Sequence, residues 1–339
     1  MNELDAPRAP TKGSIAAPRK SDIPEAPSRL EPATQRFIDG LVGVPPLYTL
    51  SPQAAHQALT DLQSQPIPLR PADITDMEWP VGPTGSTRVR IVRPAGVTTT
   101  LPVLMYFHGG GWVLGDTVSH DRLVRELAEG VQAAVVFVDY INSPAAKYPT
   151  QNEQAYAAMV YAVEHAQELK LDASRLAVAG DSVGGNMSAV ITLLAKERGG
   201  PTISQQVLLY PLLDYLSYDS SYQKFGEGPW LIAKTMRWMF DLMDMDGTED
   251  HHAYPLRATV DQLRGLPEAL IVTDDDILQD EGEAYASKLG AAGVRVTSVR
   301  YNQTVHDFAM LNPLADTPAT RSVVRLVVAT LRDALYPHT

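Results

Sequence analysis

The chain has no cysteine in its 339 residues, which excludes a disulfide framework, a zinc–cysteine site and a thiol nucleophile. Basic residues are also in deficit: Lys plus Arg number 28 against 40 Asp plus Glu, a formal net charge of −12. Such a balance repels phosphate backbones and anionic lipid, and no basic stripe offsets it, so neither a nucleic-acid partner nor a membrane surface is expected. No run approaches the ~20 apolar residues of a bilayer span. The start lacks the apolar stretch of a secretory signal, which makes a cytoplasmic location the expectation. What remains, 45% hydrophobic and 20% charged residues, is the profile of an ordinary globular protein with enough length for a sizeable core.

Residues 1–30 scatter Pro7, Pro10, Pro18, Pro24 and Pro27 among Ala, Ser and charged side chains. That composition reads as a flexible arm, because it cannot offset the entropy of ordering. Two short helical patterns follow within 31–70, Pro32–Leu41 and Ser51–Gln63. In the second, Ser51 can cap, Pro52 suits the first helical position, and Ala55, Leu59 and Leu62 share a face. Two such helices cannot make a core alone and should lie on something else.

From Met77 the texture changes. Met77–Pro80, Thr87–Arg93, Pro102–Phe107, Ala133–Asp139, Arg175–Gly180, Val207–Tyr210, Ala269–Thr273 and Val294–Tyr301 read as strands. Helical patterns fall near 118–130, 150–169, 183–198, 281–292 and 318–336. The alternation predicts an α/β fold with a mainly parallel sheet covered on both faces, its core spanning 71–211 and 255–339. The interval 212–254 breaks the rhythm. Phe225, Trp230, Met236, Trp238, Met239 and Phe240 crowd it without a clear strand, so it is expected to be a helical insertion that joins the N-terminal helices in a lid.

Gly180-Asp181-Ser182-Val183-Gly184 follows one predicted strand and opens a helix. A serine there sits on a sharp turn whose glycines tolerate crowded backbone and leave Oγ exposed. The bare pattern arises by chance in roughly one chain in ten of this length, given glycine usage of ~7%, so context has to carry it. His108-Gly109-Gly110-Gly111-Trp112, directly after another predicted strand, supplies that context. Acyl transfer passes through a negatively charged oxygen that needs preorganised N–H donors, and a run of glycines leaves such donors accessible. A phosphate-binding loop is the weaker alternative, since neither glycine signature of nucleotide sites is present.

A serine hydroxyl needs a base, and the base an orienting carboxylate. Of eight histidines, His56, His120 and His165 fall in helical patterns, His251 and His252 in a charged loop, and His338 at the end. His306 follows a strand in a short loop, at the strand edge where ligands bind in parallel sheets. The acid should lie between Ser182 and His306, and Asp274-Asp275-Asp276 follow a strand at once. Spacing does not choose among the three. A divalent-metal loop would need more oxygen ligands at organised intervals, so neither metal nor cofactor is expected.

Four blocks together resemble the bacterial hormone-sensitive-lipase-like carboxylesterases of the α/β-hydrolase superfamily. They are Tyr106–Trp112; Val138-Asp139-Tyr140 with Ser143-Pro144 and Tyr148-Pro149; Gly180–Gly185; and Asp276–Glu281 with His306-Asp307-Phe308. The resemblance implies a Ser182–His306–Asp276 triad, with Asp276 matching the family's acid and Asp274 standing at a family glutamate. It implies oxyanion donors among Gly109, Gly110, Gly111 and Val183, and a small ester with a short acyl chain as substrate. A homodimer is a further family-level expectation. Val183, Ala145 and Ile277 depart from the family's usual residues, and none of them belongs to the triad. An amidase, a deacetylase or a carbohydrate acetylesterase would use the same residues; a non-catalytic receptor on this scaffold would have lost one. Trp112, Phe225 and Trp230 are expected nearest the substrate.

Overall fold

The computed structural model describes residues 30–216 and 220–336; the expected arm falls, except for its last residue, outside them. Eight strands form one sheet: β1 (Ala72–Trp79), β2 (Thr87–Pro94), β3 (Leu101–Phe107), β4 (Ala134–Asp139), β5 (Leu171–Asp181), β6 (Gln205–Leu209), β7 (Glu268–Asp274) and β8 (Val296–Tyr301). Their spatial order is β1-β2-β4-β3-β5-β6-β7-β8. β2 runs antiparallel to both β1 and β4, and all other pairs are parallel. Parallel neighbours need crossovers, and helices supply them.

Side chains alternate across a strand, and β3 shows what that does here. Val103, Met105 and Phe107 pack with α4 (Thr150–Glu164) and α5 (Val183–Arg198) on one face. Leu104 and Tyr106 pack with α3 (Asp121–Val131) and α10 (Pro318–Leu335) on the other. Every residue of β3 is buried, which is why it reads as an unbroken apolar run. α9 (Gln279–Ala291) covers β6 and β7 through Tyr285 and Leu289.

The N-terminal helices α1 (Pro32–Asp39) and α2 (Pro52–Gln63) form as expected. Ser51 Oγ accepts from Ala54 N at 3.2 Å, a cap worth about 1 kcal/mol. Ala55 and Leu59 are the buried stripe of α2. The insertion is helical too, with α6 (Ser220–Phe225) and α7 (Ala233–Met243). A four-residue helix, α8 (Val260–Leu263), precedes β7 and is closed by a reciprocal Thr259–Gln262 capping box.

Several boundaries differ from expectation, those of β1 and β5 for identifiable reasons. β1 starts at Ala72 rather than Met77, because this edge strand is mostly exposed and shows no apolar run. β5 starts at Leu171, pairs there with Leu101, and shifts register between Pro102 and Val103; the stretch Asp172-Ala173-Ser174-Arg175 has no apolar run, so the early half was invisible. The helix expected from 118 starts at Asp121. No helix among the described residues is long and apolar enough to cross a membrane.

Candidate active site

β3, β5, β7 and β8 are parallel, so the segments leaving their C-terminal ends meet on one edge of the sheet. Those segments carry His108–Trp112, Ser182, Asp276 and His306. Ser182 itself has φ 55° and ψ −120°, a conformation that costs about 1–3 kcal/mol for a non-glycine residue. Surrounding bonds hold it there: Ser182 N donates to Leu209 O at 2.9 Å, and Ser182 O accepts from Leu212 N and Asn186 N. The tight turn also dictates Gly184, since a Cβ at that position would run into the carbonyl of Phe107.

The structure brings Ser182, His306 and Asp276 together, all buried. His306 Nε2 lies 2.9 Å from Ser182 Oγ, and His306 Nδ1 lies 2.5 Å from Asp276 Oδ2. Asp276 Oδ1 is fixed by Leu278 N at 2.9 Å. The three consecutive aspartates separate by environment. Asp275 accepts from Gln303 N at 2.7 Å and steadies the loop that leads to His306. Asp274 is fully buried; burial and the neighbouring Asp276 charge push its carboxyl well above the usual range.

Burial alone would lower the His306 imidazolium, but the carboxylates of Asp307 and Asp276 outweigh it and raise the group above its ordinary value. Asp307 is the second acid at this ring. Its Oδ1 stands 3.4 Å from His306 Nε2, and its Oδ2 accepts from Trp230 Nε1 at 3.0 Å. Trp230 in turn packs on Phe37 of α1, with ring centroids 5.2 Å apart. The N-terminal helices thereby reach the histidine loop.

The glycine loop is braced from several sides. Tyr140 Oη donates to His108 O at 2.8 Å, and His108 Nδ1 lies 2.8 Å from Gly109 O. Burial and the nearby His120 charge push the His108 imidazolium down to about 3, so the ring is neutral and its Nδ1–H is the donor. Gly110 O accepts from both Val113 N and Leu114 N. Gly109 N donates to Asp181 Oδ1 at 3.1 Å, which withdraws it from the expected donor set. The N–H groups of Gly110, Gly111 and Val183 have no hydrogen-bond acceptor among the described residues. Met239 of α7 packs directly on Gly111. Trp112 and Phe225 are buried in the same apolar cluster as Met239, while Trp230 is half-buried beside Asp307.

Reading the residues in order missed the network beneath this loop. Asp181, between Gly180 and Ser182, accepts from Tyr106 Oη at 2.7 Å and pairs with His120 Nε2 at 3.2 Å, and all three side chains are buried. Only the position of Asp181 inside the serine motif hinted at it. Tyr106 and His120 lie 75 and 61 positions away.

Residues 104–310 match the family model described as alpha/beta hydrolase fold. A putative alpha/beta hydrolase of Acanthamoeba polyphaga mimivirus is 37% identical over 91% of this chain and 89% of its own. The carboxylic ester hydrolase LipN of Mycobacterium tuberculosis is 40% identical over 74% of this chain and 68% of its own. The crystal structure of a thermostable esterase from Pseudomonas putida superimposes with a TM-score of 0.89 at 44% identity, covering 92% of this chain and all of that one. The chain belongs to the alpha/beta hydrolase fold family, in its hormone-sensitive-lipase-like branch of carboxylesterases.

Proposed function

We propose that this chain is a serine carboxylesterase that hydrolyses short-chain acyl esters through an acyl-enzyme on Ser182. The observation that carries the reading is the buried relay from Asp276 through His306 to Ser182 Oγ, with bonds of 2.5 and 2.9 Å. The carboxylate of Asp276 fixes the tautomer, so His306 Nε2 is free to take the serine proton as Oγ attacks the ester carbonyl. The N–H groups of Gly110, Gly111 and Val183 receive the oxyanion; each such donor is worth about a hundredfold or more in rate. His306 then returns the proton to the departing alcohol, and water repeats the sequence on the acyl-enzyme.

Support for a short acyl group comes from Met239, which packs on Gly111 at the oxyanion loop; a long chain would have to displace it. The N-terminal helices and the 212–254 insertion act as the lid of this site, joined through Phe37, Trp230 and Asp307.

The test uses p-nitrophenyl esters of increasing chain length. Ser182→Ala should abolish turnover and labelling by a fluorophosphonate. Asp276→Asn should cost about four orders of magnitude, whereas Asp275→Asn should cost little. Persistent turnover in Ser182→Ala overturns the nucleophile, equal losses at the two aspartates overturn the acid, and a preference for dodecanoate over butyrate overturns the acyl-length reading.

A further inference from the structure

Glu197, His251 and His252 form a cluster that the ester chemistry does not use. Glu197 lies at the far end of α5, fifteen positions from Ser182, which is about 22 Å at 1.5 Å per residue. His251 and His252 lie in the loop that leads from the insertion back to the core. His252 Nε2 stands 2.8 Å from Glu197 Oε2, and His251 Nε2 stands 3.0 Å from Glu197 Oε1. The three donor atoms all lie within 4.8 Å of one another.

We propose that Glu197, His251 and His252 bind one first-row divalent transition-metal ion of the Zn2+ class, and that this ion ties the end of the nucleophile-bearing helix to the loop returning from the insertion. At metal–ligand bonds of ~2.0–2.2 Å, neighbouring ligands of a tetrahedral set stand roughly 3.3 Å apart. The present separations, 2.8 Å from His252 to one Glu197 oxygen and 3.0 Å from His251 to the other, are within about half an ångström of that, and a small turn of the carboxylate would present a single oxygen to the ion. Two imidazoles and one carboxylate suit Zn2+, whereas Mg2+ and Ca2+ demand sets of oxygen ligands. The partly exposed position leaves the fourth place to solvent.

A second feature points the same way. Metal-bound histidines usually give their other ring N–H to a carboxylate or carbonyl, which fixes the ring and strengthens the ligand. Here Asp250 Oδ1 stands beside both rings, 3.4 Å from His252 Nδ1 and 4.0 Å from His251 Nδ1, close enough for charge attraction though not yet hydrogen-bonded to either. Asp250 is itself held by Tyr148 Oη at 2.6 Å and His252 N at 2.9 Å. The loop is already docked through its backbone: His252 O accepts from Asn152 Nδ2, and Ala253 O accepts from Asn186 Nδ2 of α5. The ion adds a side-chain tie at the other end of that helix. One group has to yield: the amide Nε2 of Gln262 lies 3.3 Å from His251 Nε2. The cluster has no local signature, because two adjacent histidines become a site only when Glu197, 54 positions before His251, is folded against them.

The experiment takes the full chain after removal of metal by chelator and titrates it with ZnCl2, MgCl2 serving as control. Calorimetry should show one Zn2+ per chain, and Tm should rise by a few degrees at about 100 times Kd. Mg2+ should do neither. Hydrolysis should survive the chelator, because Ser182 is remote from the ion. His251→Asn/His252→Asn should lose at least about tenfold in Zn2+ affinity together with the thermal gain, while keeping basal hydrolysis. Glu197→Gln offers the same reading should the double variant fold poorly. Absence of saturable Zn2+ binding overturns the proposal. So does Zn2+ binding that persists undiminished in these variants, which would move the ion to the Asp274–Asp276–His306 cluster, where it would inhibit.

Discussion

Asp307 faces Nε2 of His306, on the other side of the ring from Asp276 at Nδ1. In the proposed mechanism His306 acts as base only when neutral, so kcat/KM should rise with pH through its folded value. That value is raised by the charges of Asp307 and Asp276 against the effect of burial. Asp307→Asn keeps the acceptor for Trp230 Nε1 and keeps a residue tolerant of the positive φ of 67° found there. It removes one negative charge 3.4 Å from Nε2. The acidic limb of the kcat/KM profile should therefore move down; a limb that stays or moves up would remove Asp307 from this role. Ser182, Asp276 and His306 were legible as candidates because each lies within five residues of the end of a strand. Asp276 was separable from Asp274 and Asp275 only by resemblance, since three consecutive aspartates share the same strand end. Asp181 and His120 were not legible in role, because burial and pairing over 61 positions leave no local pattern.

At the scale of elements, the crossing of β3 and α5 sets the elbow. Gly184 opens α5 against the carbonyl of Phe107 at the end of β3, and the obstruction is backbone on both sides. Gly184→Ala should therefore lower Tm by several degrees and remove most turnover, since the strand or the serine turn has to shift. Gly290, near the end of α9, has nothing within 4 Å of a would-be Cβ. Gly290→Ala should raise stability by roughly 0.5 kcal/mol through helix propensity alone. Thermal melts and p-nitrophenyl butyrate assays on both variants check the contrast; equal effects would refute the packing argument. Buried strands such as β3 announced themselves as apolar runs, whereas β1 did not. An exposed edge strand is specified by its pairing with β2, register Ala72 to Pro94 through Trp79 to Thr87, and pairing is not written in local hydrophobicity. The shift between Pro102 and Val103 was hidden for the same reason.

For the molecule as a whole, the buried His120–Asp181 pair couples stability to pH through the site. Both side chains are fully buried, and taking two charges out of water costs several kcal/mol each unless partners replace the solvent. The partners are present: Tyr106 Oη and Gly109 N on Asp181, Ser119 Oγ at 2.9 Å from His120 Nδ1, and the pair itself. Burial opposes both charges, yet the pairing lifts His120 above its ordinary 6.5 and holds Asp181 below its ordinary 3.8. The raised histidine contributes stability that is complete below 6.5 and is lost as pH climbs through its folded value. The depressed aspartate contributes stability that is present above 3.8 and is lost as pH falls through its folded value. The pair is therefore worth most between about pH 4 and 6.5. His120→Gln should lower Tm more at about pH 5.5 than at a pH above the folded value of the His120 ring. Self-repulsion from the net charge of −12 and the titration of His306 act on both proteins alike and cancel in the difference. A Tm loss that does not shrink as pH rises from about 5.5 would mean that His120 is neutral in the folded chain and that Asp181 is held by Tyr106 and the Gly109 N–H without it.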